Sequence, residues 1–336
     1  MLDERKTAIL RAVVREYIET ALPVGSGHVA QANDVRVSPA TVRNEMAVLE
    51  QEGYLVQPHT SAGRVPTDKG YRYFVDHLAA PGRLDQVRAE QVRDFFSTAH
   101  GAVDHMLSDT SRLLSGLTNY AAVVVSPAPE AATIRSVQLV RLSNRLVMLI
   151  VVLSNGTVES EPLDAADDIA DATVTAASAH LAMHLIDTSV GTSVVPPPSG
   201  EPRVDKLCQQ AHAAFTARSQ RHGEQMFVGG AARMASAFDA VDIVRNVLAT
   251  LEQQYVVVSL MRDVLDRGLS VAIGAEHGVE PLAACSVVVA PYIVEGEAVG
   301  TVGVLGPTRM NYPQALAAVE IVSERLGERL AEASDR

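Results

Sequence analysis

Apolar residues recur at helical spacing from the start of the chain. Ile9, Val13 and Tyr17 fall at i, i+4 and i+8, with Leu10, Val14 and Ile18 beside them. One broad stripe of this kind predicts a helix over about residues 3–22. Pro23 ends it. Ser26 caps a short second helix over about 27–32, and Asn33-Asp34 supplies a turn. A third helix, over about 39–52, is marked at both ends. Ser38 offers an N-cap, Pro39 sits where its missing N–H costs nothing, and Gly53 follows Glu52 where a left-handed residue closes a helix. Val42, Met46 and Leu49 form its inward face. Ala40, Arg43, Asn44, Ala47 and Gln51 form the opposite one. After Gly53 the period changes. Residues 54–57 read as a short strand, 64–66 as its return, and 58–63 as a turn-rich loop between them. Thr67 caps a further helix with Asp68 in its first turn. Helix, turn, helix and a small hairpin make the winged-helix plan.

The remaining chain alternates between the two periods. After Pro81-Gly82, which reads as a linker, residues 84–117 read as one helical stretch. Strands follow at 120–126, 134–142, 145–153 and 158–163, with tight turns at Ser143-Asn144 and Asn155-Gly156. From 165 to 223 the chain is Ala-rich and helical, with Val174, Ala177, Leu181 and Leu185 on one stripe and Pro196-Pro197-Pro198 as a stiff spacer. Sheet and helix resume at 226–228 and 240–253. Residues 255–265 contain Val256-Val257-Val258, a strand-like run, but Val257, Leu260, Met261, Val264 and Leu265 fit helical spacing better. Strands at 269–274, 286–292 and 298–305 precede a final amphipathic helix at 313–333. A mixed antiparallel sheet flanked by helices is the outline of GAF- and PAS-like sensor domains. The expected division is a winged-helix domain at 1–80, a sensor-like mixed domain at 81–164 and 225–336, and a mainly helical insertion at 165–224. The fold class is α+β.

Charge then localises the chemistry. The chain has 336 residues and a formal net charge of -12, which taken whole argues against a polyanion-binding surface. Residues 1–80, however, hold nine Lys+Arg against ten Asp+Glu, so nearly all the acidic excess lies further on. From His59 to Tyr73 three basic residues face one acidic residue. The polar face of the third helix suits base edges: Arg43 for guanine, Asn44 for adenine, Thr41 for a thymine methyl or a phosphate, and Ala40 for close approach. Ser38, His59, Thr60, Ser61, Gly63, Arg64, Lys69 and Arg72 are the candidates for the DNA backbone and wing contacts. Double-stranded DNA is therefore the expected partner.

Competing chemistry is thin. The run from His59 to Gly63 loosely resembles a serine-nucleophile elbow but lacks its leading glycine and following helix. His59 has no metal-ligand partner at suitable spacing. Glu276-His277 with Glu280 reads as an acid–base pair near a turn, without a nucleophile. Gly300, Gly303 and Gly306 repeat without forming a phosphate loop, and read instead as close strand packing. Two separate cysteines, Cys208 and Cys285, exclude a disulfide framework. No cofactor, metal or catalysis is expected. The charged start and the shortness of the most apolar run, 146–153, lead to the expectation of a cytoplasmic protein with no membrane span.

Three long runs carry a family resemblance. Residues 38–46 with Leu49-Glu50 and Gly53-Tyr54-Leu55, residues 58–72, and Gly306-Pro307-Thr308-Arg309-Met310-Asn311-Tyr312-Pro313 together resemble the heat-inducible transcription repressor HrcA family. One departure is Gly27-His28, where that family often carries a basic residue. The resemblance implies a GAF-like domain interrupted by a dimerisation insertion. It also implies a homodimer that represses heat-shock chaperone operons from an inverted-repeat operator, and the chaperonin GroEL as a modulating partner. Two alternatives stay open: a small-molecule-responsive regulator with an effector in the GAF-like domain, and a hydrolase using Ser61 or His277.

Overall fold

The computed structural model describes residues 2–59, 62–78, 82–98, 103–127, 132–154, 157–164, 168–190, 194–221, 225–235, 238, 241–267 and 270–334. Helix α1 (Glu4–Thr20) is capped by Asp3, whose side chain accepts from the Lys6 N–H, and buries Ile9, Leu10, Val13 and Val14. Helix α2 (Ser26–Val29) is shorter than its pattern predicts. Helix α3 (Pro39–Gln51) starts where Ser38 accepts from the Thr41 N–H and buries Val42, Met46 and Leu49. Gly53 takes the left-handed conformation expected of it, φ +79°.

Strands β1 (Leu55–Val56) and β2 (Val65–Pro66) form the wing ladder. A third segment joins it: the Val24 and Arg64 backbones exchange hydrogen bonds of 2.9 Å in both directions. This explains Gly63, because a Cβ there would lie 2.4 Å from the Val24 carbonyl oxygen. Helix α4 (Asp68–His77) follows, with Thr67 accepting from the Gly70 N–H.

The predicted stretch 84–117 is two helices, α5 (Gln86–Thr98) and α6 (Val103–Thr118). After β3 (Ala121–Val125) come β4 (Ile134–Arg141), β5 (Leu146–Leu153) and β6 (Val158–Asp164), a separate antiparallel sheet. Helices α7 (Asp171–Leu185) and α8 (Pro202–Arg221) complete that unit. Val137, Val147, Leu149 and Val151 share one core with Val174, Leu181, Leu207 and Phe215. The boundary expected from sequence is thereby corrected. Strands 134–164 pack with the inserted helices, so the inserted unit begins near residue 132 instead of 165. Periodicity identifies a strand; it does not say which sheet receives it. The expected Asn155-Gly156 turn lies outside the described residues.

The chain returns beside the point where it left. β7 (Met226–Gly229) pairs antiparallel with β3, Met226 opposite Val125. Helices α9 (Ala231–Ala235), α10 (Val241–Glu252) and α11 (Gln254–Asp266) follow. Helical spacing prevails in α11, which buries Val257, Leu260, Met261 and Val264. β8 (Val271–Ile273), β9 (Cys285–Val294) and β10 (Glu297–Pro307) complete a five-stranded sheet ordered β7-β3-β10-β9-β8, every pairing antiparallel. Counted within this sheet alone, the order is second, first, fifth, fourth, third.

Side chains alternate between the two faces of this sheet. Val123, Val287, Val289 and Leu305 pack with α10 and α11. Val124, Val288, Tyr292, Val302 and Val304 pack with α6 and the last helix, α12 (Tyr312–Ser334). That second core runs on without a break into the winged head, through Met310, Tyr312, Tyr71, Phe74 and Leu49. No helix among the described residues is long and apolar enough to cross a membrane.

Candidate nucleic-acid interface

Helix α3 separates its two faces cleanly. Val42, Met46 and Leu49 are at most 1 % exposed, while Ala40, Arg43, Asn44 and Gln51 are exposed. The Ser38 and Thr41 hydroxyls lie 3.0 Å apart, so Thr41 is oriented by the cap. The side chains of Arg43 and Asn44 have no hydrogen-bond or ionic partner among the described residues.

The carboxylates of the same helix are paired, and Glu52 at its C-cap likewise. Arg5 reaches Glu45 at 3.4 Å, Arg64 reaches Glu50 at 2.9 Å, and Lys6 reaches Glu52 at 3.4 Å. Ion pairs at the surface, even partly covered ones like these, add little stability. Their consequence is electrostatic: the negative charges nearest the polar face are partly compensated, and Arg43 is not.

The wing cations have different surroundings from those their sequence suggests. Arg64 is spent on Glu50 and is only 15 % exposed. Lys69 donates to the Glu52 carbonyl at 2.8 Å and sits 4.4 Å above the Tyr54 ring, with its residue still exposed. Gly63 is held against Val24, and His59 is exposed. Thr60 and Ser61 lie outside the described residues.

The expectation for Arg72 is corrected. Its Nε donates to Glu276 at 3.0 Å, Nη2 donates to the Val271 carbonyl at 2.8 Å and to Glu276, and Nη1 donates to Asp76 at 3.2 Å. Hydrogen bonding to Glu276 raises its pKa further. The donors are directed into the protein. Sequence reading also passes over one cation. Arg36, two residues before the Ser38 cap, is exposed and has no ionic partner among the described residues. Its place beside the N-terminus of α3 was the available signal.

The Glu276-His277 pair is structural. Glu276 receives Arg72 and also accepts from the Ile273 N–H at 2.9 Å. His277 is buried between the Leu282 carbonyl and the Val279 N–H, and burial lowers its pKa. Burial pushes the thiols of Cys208 and Cys285 up to about 11 and about 12, which disfavours the reactive thiolate. The face of the five-stranded sheet toward α10 and α11 is filled by side chains. A Cβ on Gly303 there would lie 2.8 Å from Met261 Cε. Among the described residues no group of three or more His, Cys, Asp or Glu is placed to hold a metal.

Known proteins match along the whole chain. The family model described as HrcA protein C terminal domain matches residues 104–316. A heat-inducible transcription repressor HrcA from Acidothermus cellulolyticus is 39% identical over 345 residues, covering 99% of this chain and 100% of the relative. One of the same name from Carboxydothermus hydrogenoformans is 36% identical, covering 98% of each chain. A crystal structure of a hypothetical protein, solved at 2.2 Å resolution and 22% identical, superposes with a TM-score of 0.67 over 99% of this chain and 100% of that one. It shows a common fold. With such identity sustained from the winged head to the last helix, the chain belongs to the HrcA family.

Proposed function

We propose that this protein is a sequence-specific DNA-binding repressor of heat-shock chaperone operons, acting as a cytoplasmic homodimer on an inverted-repeat operator. The observation that carries this reading is the outer face of α3, where Arg43 and Asn44 stand exposed with no partner among the described residues. An unpaired arginine and amide on a capped helix offer the bidentate donors and acceptors that guanine and adenine present in the major groove. Ala40 lets the helix approach, Thr41 meets a methyl or phosphate, and Ser38 with Arg36 steadies the adjacent backbone. Around the wing, His59, Thr60, Ser61, Gly63 and Lys69 are the backbone contacts, with Arg64 shaping the wing through Glu50. The two-fold symmetry of a dimer would match the inverted repeat, and the inserted unit is the proposed dimerisation element.

GroEL completes the reading as a partner that raises the fraction of folded, DNA-competent repressor. A footprint on the organism's own chaperonin promoter tests the first claim. Two protected half-sites are expected, absent on scrambled DNA; equal protection of both DNAs overturns it. Adding chaperonin under aggregation-prone conditions is expected to raise the active fraction. An unchanged fraction removes GroEL from the reading.

A further inference from the structure

Two of the sequence hallmarks are not used by DNA-reading chemistry alone. The end of the 58–72 run and the 306–313 run meet in space, at the seam between winged head and body. Tyr71 of α4 and Tyr312 at the start of α12 bring their rings to 5.9 Å, both essentially buried. Tyr312 is itself fixed, its hydroxyl 2.8 Å from Ser286 Oγ.

Beside this apolar contact lies a polar clasp. Arg72 grips Glu276, 204 residues away in the chain, and the Val271 carbonyl. The Glu276 carboxylate is set by the Ile273 N–H, and the Glu276 carbonyl accepts from Arg267 at 3.0 Å. Asp68 closes the other end, accepting from the Ala275 N–H at 3.4 Å. It lies against Gly274, where φ is +55° and a Cβ would sit 2.2 Å from Asp68 Oδ2.

We infer that this clasp of Asp68 and Arg72 on the 271–276 segment is a latch that fixes the angle of the reading helix, and so the half-site spacing the dimer accepts. The inference rests on the operator-binding reading above. Apolar packing alone allows a head to slide and rotate. A guanidinium fork seated on a carboxylate and a carbonyl has one plane and one direction. α3 and α4 share one core through Leu49 and Phe74, so whatever fixes α4 fixes α3. In a dimer the second head binds its half-site at an effective concentration set by geometry. A rigid connection gives a sharp optimum in spacing, and a loose one a shallow optimum. Arg72, Glu276 and Asp68 are thus positioning residues for recognition, without touching DNA.

The test uses the full chain and three DNAs: a single half-site, the inverted repeat at its natural spacing, and the same repeat lengthened by about five base pairs, half a helical turn. The unaltered protein is expected to prefer the natural repeat to the lengthened one by roughly tenfold or more. Arg72→Ala and Glu276→Gln are each expected to bind the half-site as before and to narrow that preference to within about threefold. The double variant should be no flatter than either single, since both remove one coupling. Asp68→Asn, a gentler change, should flatten it less and guards against loss of folding in the other two. Retention of the full spacing preference by folded Glu276→Gln overturns the latch. So does a loss of half-site binding in Arg72→Ala alone, which would return Arg72 to the phosphate role suggested by its sequence. Failure of the unaltered protein to bind the half-site better than scrambled DNA defeats the operator reading itself, and the latch with it.

Discussion

Arg43 and Arg72 belong to the same winged head, and their surroundings are opposite. Arg43 stands exposed with no partner among the described residues. Arg72 spends its guanidinium on Glu276, Asp76 and a backbone carbonyl. The local charge count points the wrong way here. Each cation of the basic stretch 59–73 has a protein partner: Arg64 with Glu50, Lys69 with the Glu52 carbonyl, Arg72 with Glu276. The cations of the head without a partner among the described residues, Arg15, Arg36 and Arg43, lie outside that stretch. Availability for a polyanion depends on how far the fold commits each cation: Arg43 is exposed and unpartnered among the described residues, Lys69 is partnered but still exposed, and Arg64 and Arg72 are drawn inward.

Substituting the two arginines breaks the comparison most sharply. Arg43→Ala is expected to cost about 1–3 kcal/mol of operator discrimination with the melting temperature unchanged. Arg72→Ala is expected to leave base preference intact and to cost about 1–2 kcal/mol of stability, by stranding a partly buried Glu276. Operator-versus-scrambled titrations together with thermal melts read both. If the two variants behave alike in both assays, the contrast is gone.

A smaller effect sharpens the seam side. Gly274 and Gly278 both have positive φ, but only Gly274 faces an obstacle, since nothing lies within 4 Å of a Cβ on Gly278. Gly278→Ala is therefore expected to cost about 1 kcal/mol for backbone strain alone. Gly274→Ala should cost more, because Asp68 must also give way. Equal melting temperatures for the two variants would mean that the clasp yields freely. The smallest effect sharpens the DNA side. Arg36→Ala is expected to weaken operator and scrambled DNA equally and to reduce the salt slope by about one. A change in base preference would instead place Arg36 among the reading residues.

What was legible in the sequence was local. Helix α3 is bounded by Ser38, Pro39 and Gly53, all within a few residues of the groups they satisfy, and its two faces follow from spacing alone. Helix α11 was legible despite its three valines because four buried positions recur at helical intervals. Long-range assignments were not legible. Strand β5 is apolar at every position, and such a run reads the same whether its partner is the five-stranded sheet or a sheet of its own. Arg72 reads as a backbone contact near the wing and Glu276 as half of an acid–base pair near a turn, because nothing local couples them. Gly63 reads from sequence as a wing contact, whereas the close approach of Val24 from before α2 is what requires a glycine there.

The geometry where β3 gives way to the inserted unit has an architectural consequence. Val125 stands opposite Met226, and the Ser126 N–H donates to the Gln225 carbonyl at 2.8 Å, with the Gln225 N–H returning a bond to Ser126 Oγ. Topologically, residues 127–224 occupy the place of a hairpin turn. Ser126 and Gln225 already lie within hydrogen-bond distance of each other, and the excursion carries a core of its own. Such an arrangement has the form of a cassette: the strand order of the sheet beneath it is closed by the β3–β7 pairing without any strand of the excursion.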